Sequence, residues 1–452
     1  MKRALSAASL MVLFLGCGGG GPSFQEVAPT PRRLVVWLGD EGLDGATAQR
    51  MRAAGVDEVV VRRGSMDLAG RAPVLRFKEM PPVEGAIPVG IALEVQGVRT
   101  DLDRAAAEAV WRAIDAELEG SVPAELILDL PRLTESLDEF VTSLTEVSGV
   151  SVVPLLSFEQ IQQEDGVRTA TAARICVLPA FGTDGADLRG VAELAPLPLR
   201  KKLEPLVGRG VRVRLAVVLT PRTDPELEGP GEDLNSLTGV TSMSTTSTLD
   251  RTFSFETNAS WSGRSWKKGD SVAVRWVDAA RLNAALTEMH RLVLPELAGW
   301  DLVALPPENR SLGLGRETLL RYLEGEGPAP EVEVDVERDG QILRVVLDNP
   351  GPFVTAVTNY GNWVQVSVDD GWLRARDRGS FDGLRLGNLQ GGDWREGDFD
   401  QFNGVRFSEI YLGPGERVMS GWVRLPSSRS TANVSWNLTL SDGSAVTGEM
   451  TR

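Results

Sequence analysis

Two carboxylates lie inside strongly apolar runs: Glu94 in Ile-Ala-Leu-Glu-Val and Asp129 in Leu-Ile-Leu-Asp-Leu. An ionised carboxyl in such a setting loses hydration, so its pKa rises unless cations or hydrogen-bond donors face it. Two such groups across one cleft are what glycoside hydrolysis uses, one as the acid toward the leaving oxygen and the other as nucleophile or base. The chain holds a single His, and carboxylates alone can carry those proton transfers. The alternative role is structural, since a strand-end Asp or Glu can cap the next helix or pair with Arg62, Arg63, Arg99, Arg132 or Arg174.

Further carboxylates near expected strand ends are Asp40, Glu41, Glu159, Asp184, Asp224 and Glu226. Aromatic faces are the second clue. The chain has 11 Trp against 3 Tyr, and a Trp ring beside a loop can stack on a sugar while neighbouring polar groups bind its hydroxyls. Trp37, Asp40, Asp184, Trp261 and Trp266 are the candidate ligand contacts on this basis. Among the later tryptophans, Trp363 and Trp394 could face either solvent or core, and the alternation around Trp422 and Trp436 assigns both to a core.

Composition excludes several other chemistries. One His and two Cys cannot build a multi-His zinc site or a Cys-rich zinc or iron–sulfur site. Cys176, in Ile-Cys-Val-Leu, reads as a buried inert thiol, and His290 as an ordinary residue of a helix over Ala279 to Leu294. The acidic stretch Asp393 to Asp400 lacks the spacing of a calcium loop and reads as solvated. No dinucleotide fingerprint, phosphate-binding loop or Gly-x-Ser-x-Gly elbow occurs, so neither cofactor nor metal is expected. A net charge of -16 leaves no basic field for a phosphate backbone, so nucleic acid is not an expected partner.

The elements that must position the two acids come in an alternating order. Expected strands are Leu34 to Leu38, Glu58 to Arg62, Val89 to Val95, Leu126 to Asp129, Val150 to Leu156, Arg174 to Leu178, Val211 to Leu219 and Asp301 to Leu305. Helical patterns fall between most of them: Asp101 to Leu118 with Asp101 as cap, Thr134 to Val147 closing at Gly149, and Pro198 to Val207 closing at Gly208. Eight buried strands alternating with helices predict a (β/α)8 TIM-like barrel over 32–324, whose strand C-termini would form the functional face. Arg71 to Met80 could add a ninth strand, and an open doubly wound sheet is the alternative. An insertion over about 221–277 would carry a hairpin around Trp261 and Trp266. After a Gly- and Pro-rich linker at 325–330, short alternating strands over 331–452 predict a C-terminal antiparallel β-sandwich, Ig-like or carbohydrate-binding-like.

The N-terminus reads as an address. Lys2 and Arg3 precede the apolar run Ala4 to Leu15, too short for a comfortable span, and Leu13-Phe14-Leu15-Gly16-Cys17 resembles a bacterial lipobox. Cys17 is then the lipidation site, residues 1–17 form the signal segment and 18–31 a flexible tether. Gly18 after the Cys favours the outer membrane as the place of the exported, lipid-anchored protein.

Val35-Val36-Trp37-Leu38 and Leu128-Asp129-Leu130-Pro131 resemble motifs of exported bacterial proteins of unknown function with glycoside-hydrolase-like barrels. In that family a second acidic residue is expected two places after the first; Pro131 stands there in this chain. The resemblance implies the barrel more than it implies turnover, because the fold hosts many functions. Two functions follow as expectations: a cell-envelope lipoprotein whose barrel binds a glycan or serves as a scaffold for an envelope protein partner, and an active glycoside hydrolase using Glu94 and Asp129. A hydrolase of another substrate ranks below both.

Overall fold

The computed structural model describes residues 33–39, 42–181, 196–219, 222–224, 240–244, 250–275, 295–306, 314–325, 331–355, 362–381, 383–397, 400–408, 412–440 and 444–452, with the single positions 277, 279, 282, 283 and 286. Eight parallel strands close into a barrel. They are β1 (Arg33–Leu38), β2 (Glu58–Leu68), β3 (Val89–Val98), β4 (Glu125–Asp129), β5 (Ser151–Leu155), β6 (Ile175–Phe181), β7 (Arg212–Val218) and β8 (Leu297–Val303). Each pairs with its sequence neighbour, and β8 pairs with β1 to close the ring.

The period-2 alternation of each strand decides what faces in. Val36, Leu38, Val59, Val61, Leu126 and Leu128 join the outer core, which the surrounding helices cover. Val35, Trp37, Val60, Ala92, Ile127, Val153, Val177 and Ala216 fill the interior with a separate apolar layer. The strands are thus buried on both faces, which is why they read as continuous apolar runs.

Helices follow most strands: α1 (Gly45–Ala53) after β1, α2 (Arg104–Glu117) after β3, α3 (Leu137–Ser148) after β4, α4 (Glu164–Ala173) after β5, α5 (Pro196–Leu203) after β6 and α6 (Arg316–Leu323) after β8. Asp103 rather than Asp101 caps α2, its carboxylate accepting from Ala106 N at 2.9 Å. Gly149 closes α3 at φ 68°, where a side chain would be strained. The unit after β2 carries a strand, Val74–Phe77, antiparallel to the far end of β2, where the sequence left a ninth strand open. In the seventh unit Arg222–Asp224, Val240–Ser244, Asp250–Phe255 and Ser271–Arg275 form a four-stranded antiparallel sheet, with a small hairpin of Ala259–Trp261 and Arg264–Trp266.

The C-terminal region folds as antiparallel sheets of five and six strands. Leu343, Val345 and Val423 of the first share one core with Val364, Val405, Phe407 and Val434 of the second. The turn between Glu333–Asp339 and Ile342–Asp348 uses Gly340 at φ 58°. Among the described residues no helix is long and apolar enough to cross a membrane. The signal segment, Cys17 and residues 326–330 of the linker lie outside the described residues.

Candidate functional site

The barrel interior is charged at both ends, and the strand registers set which charges meet. At the base, where the strands begin, Arg33, Glu58, Glu125, Arg214 and Asp301 all point inward, two residues from the apolar layer. Arg214 is fully buried and holds both oxygens of Glu125 at 2.6 and 2.9 Å, while its Nε lies 3.0 Å from Asp301 Oδ1. Arg33 pairs with Glu58 and, at 3.2 Å, with Glu125. Trp37 Nε1 donates to Asp301 Oδ2 at 2.9 Å. Room for the two Glu side chains exists because position 90 is glycine: a Cβ there would collide with Oε1 of Glu58 and press on Cγ of Glu125.

Three carboxylates thus meet two guanidinium groups, one negative charge in excess. Burial, then the neighbouring Glu125, pushes the Glu58 carboxyl up to about 8 against the pull of Arg33 and Arg214. Burial pushes Asp301 up to about 6, with Arg214 and the Trp37 hydrogen bond working the other way. Oε1 of Glu58 has no donor among the described residues, which suits the oxygen that holds the proton.

At the mouth, Glu94 of β3 and Asp129 of β4 are register partners, so the two acids singled out in the sequence stand side by side on adjacent strands. They line a cavity of about 250 Å³ with Trp37, Arg62, Ser65 and Gln96. A bulge in β2 arranges one wall. Arg62 pairs with Ala92 and Gly64 with Leu93, so Arg63 is the extra residue. Arg62 then points into the mouth, and Ser65, opposite Glu94, does so as well. Arg63 instead turns away, buried, with its guanidinium on Glu117 at 2.8 Å and on the Lys78 carbonyl. Gly64 allows the bend: its φ is 131°, and a Cβ would strike the Arg76 carbonyl.

Asp129 is half-buried and Glu94 exposed. Burial raises the Asp129 pKa, the Arg62 guanidinium works against that rise, and Glu94 adds to it. Arg62 also lies 5.6 Å over the Trp37 ring. Trp37, expected as a stacking platform, is 1% exposed: its Nε1 is on the base network and its ring is packed in the interior layer under Arg62, so it offers no open face to a ligand. A larger depression of about 470 Å³ between α3 and α4 lies on the outer wall, where Arg168 is already paired with Asp138 and Asp165.

The remaining candidates are placed elsewhere. Asp40, Asp184 and His290 lie outside the described residues, as do Glu41 and Glu226. Trp261 and Trp266 are 1% and 2% exposed. They pack with Phe253, Phe255, Val272, Val274 and Val354 in a core of the insertion, so their rings offer no accessible platform. The sequence could not separate these roles because a Trp on a short hairpin serves equally as core or as platform. Trp422, expected in a core, is instead 47% exposed beneath Arg344 at 4.7 Å, while Trp436 packs against the C-terminal core. Trp363 and Trp394 flank Arg406 at 4.3 and 4.5 Å, and Arg406 Nε donates to Gln365 at 2.8 Å. Their facing surfaces hold a guanidinium. Cys176 is fully buried, and burial pushes its thiol up to about 12. Among the described residues no group of three or more His, Cys, Asp or Glu could hold a metal ion.

Fold and site together define a closed eight-stranded parallel barrel with an acid pair at its mouth, joined to antiparallel sheets. No family model matches the chain, and no curated protein matches it. Among solved structures the chain is similar over 27% of its length to the sporulation control protein Spo0M from Bacillus subtilis, at 13% identity, TM-score 0.16 and 48% of that chain, about half its length. It is also similar, over 27% of its length, to the collagen binding subdomain of the Enterococcus faecalis surface protein ACE, at 9% identity, TM-score 0.13 and 92% of that chain. Scores this low carry no argument about the fold or the activity of the present chain.

Proposed function

We propose that this chain is an exported envelope protein, held by a lipid on Cys17, whose barrel is of the TIM-like (β/α)8 class and whose mouth binds a glycan. The single observation that carries the reading is the register pairing of Glu94 with Asp129 at the edge of a cavity that Arg62, Ser65 and Gln96 also line. Carboxylates, a Ser and a Gln side chain accept from and donate to sugar hydroxyls. In TIM-like barrels the strand C-termini form the binding face, and Glu94 and Asp129 lie toward those ends of β3 and β4. The C-terminal sheets, read as a β-sandwich, would serve as the body that contacts an envelope partner.

A second reading, the glycoside hydrolase of the resembling barrel family, is favoured by the same register. Adjacent strands lie about 4.8 Å apart, which starts the two carboxyls near the roughly 5–5.5 Å separation of a retaining pair. Burial raises the Asp129 pKa, which suits it to the role of acid, with Glu94 as its neighbour in the pair. The test exposes the purified chain to bacterial and plant polysaccharides in native affinity gels and assays new reducing ends. Retarded migration that both Glu94→Gln and Asp129→Asn abolish is the expected result; release of reducing ends that both abolish would assign the hydrolase. A folded chain that retards on no polysaccharide would overturn the glycan reading.

A further inference from the structure

The cavity wall beside the two acids is cationic. Arg62 from the β2 bulge and Arg76 and Lys78 from the flanking antiparallel strand and the residue after it all line the same cavity as Glu94 and Asp129. Arg76 and Lys78 are exposed, and among the described residues neither makes an ion pair. Some other arginines of this barrel are matched by carboxylates, as Arg50 is by Glu317 and Glu324, Arg104 by Glu108 and Glu146, and Arg168 by Asp138 and Asp165. Three cations against two carboxylates at one opening, in a chain of net charge -16, leave a small local positive field within a repelling surround. Such a field holds an anion by contact and by focusing.

The placement is built rather than incidental. The extra residue in β2 sends Arg62 inward and Arg63 outward, and Arg63 grips the Lys78 carbonyl from behind, fixing the backbone that carries Lys78. The backbone hydrogen bond from Lys78 N to Arg63 O, 2.7 Å, ties the same two residues a second time. Ser65 and Arg76 are register partners, so hydroxyl and guanidinium are presented together.

We infer that the mouth takes an acidic glycan, a sugar chain bearing carboxylate or sulfate groups, with Arg76 and Lys78 holding the anionic substituent while Glu94 and Asp129 face the hydroxyls of the same or the next sugar. This rests on the glycan reading of the mouth and narrows it to a substrate class. A neutral chain would leave both cations unused, and a free anion would leave the acids facing nothing.

The test runs the purified chain in native affinity gels containing polygalacturonate, dextran sulfate or neutral dextran and galactan, at low and high salt. The expected result is retardation by a charged polymer at least roughly tenfold stronger than by a neutral one, the scale of one charge-assisted hydrogen bond, and weakened by salt. The polymer retained better assigns carboxylate or sulfate. Arg76→Ala and Lys78→Ala should each lower that affinity several-fold while leaving thermal unfolding unchanged. Arg374→Glu, on an exposed strand of the C-terminal sheets, serves as a control for adhesion to basic surface elsewhere. Equal binding of charged and neutral polymers, or an equal loss from Arg374→Glu, would overturn the inference and leave the glycan reading standing. Binding of no polymer would overturn both.

Discussion

At the base of the barrel three carboxylates meet two guanidinium groups in a space that Gly90 leaves open, with every member except Arg33 essentially inaccessible to water. At the mouth two carboxylates share a cavity with three cations, and Asp129 is only half-buried. The two sets lie on the same strands: Glu125 and Asp129 are four residues apart on β4, separated by the inward-facing Ile127. The difference is one of saturation. Apart from Glu58 Oε1, base charges are matched to each other by hydrogen bonds and ion pairs, and burial closes them to a ligand. Mouth charges keep their hydrogen-bonding capacity, which is what a binding surface requires.

The largest expected effect is at the base. Arg214→Met leaves Asp301 without its ion-pair partner and Glu125 with Arg33 alone, and breaking a buried pair in this way costs about 3–5 kcal/mol. Urea unfolding measures it; a loss below about 1 kcal/mol would show the network to be hydrated. Next, Trp37→Phe keeps the ring but leaves Asp301 Oδ2 without its donor, at a cost of about 1–3 kcal/mol in the same assay.

The pH dependence sharpens the contrast further. Glu58 and Asp301 are pushed up to about 8 and about 6 in the folded chain, against about 4.3 and 3.9 when unfolded. Folded protein therefore holds protons that unfolded protein has released. The stability these groups contribute is full below about pH 4 and falls as pH rises through about 6 and 8. Glu58→Gln, which mimics the protonated acid, should flatten the upper part of that fall. The variant is expected to match the wild type below about pH 4 and to exceed it by a growing margin up to about pH 9 in urea unfolding. A steeper fall in the variant would refute the assignment of the proton to Glu58.

The smallest effect concerns the mouth alone. Arg62→Ala removes the cation that holds Asp129 down, so the Asp129 carboxyl should titrate at higher pH, read by carbon-detected NMR. Stability should change by less than about 1 kcal/mol, as expected for an exposed arginine.

The barrel strands were legible because burial on both faces leaves continuous apolar runs, and observed bounds fall near the expected ones, as with Glu125–Asp129 against Leu126 to Asp129. The acid pair was legible for the same reason, since Glu94 and Asp129 interrupt such runs. Strand β2 was read too short: it runs to Leu68 rather than Arg62 because two bulges carry it past the barrel to pair with Val74–Phe77. A bulge has no periodic signature, and its extra residue looks like the end of alternation. The base network was missed, although charges at the start of interior-facing positions, Glu58 before Val-Val-Val and Arg214 within Val-Arg-Leu-Ala-Val-Val, were a usable signal. Which Arg matches which acid across 89 residues of sequence, as Arg214 does Glu125, depends on ring closure and cannot be read locally.

The contrast between saturated base and open mouth is tested most directly by measuring stability and polysaccharide affinity together on Glu94→Gln with Asp129→Asn. The double variant should unfold within about 1 kcal/mol of the wild type, because neither side chain belongs to a closed network. It should also lose the polysaccharide retardation of the wild type. A double variant destabilised as strongly as Arg214→Met, or one that still binds like the wild type, would contradict the account.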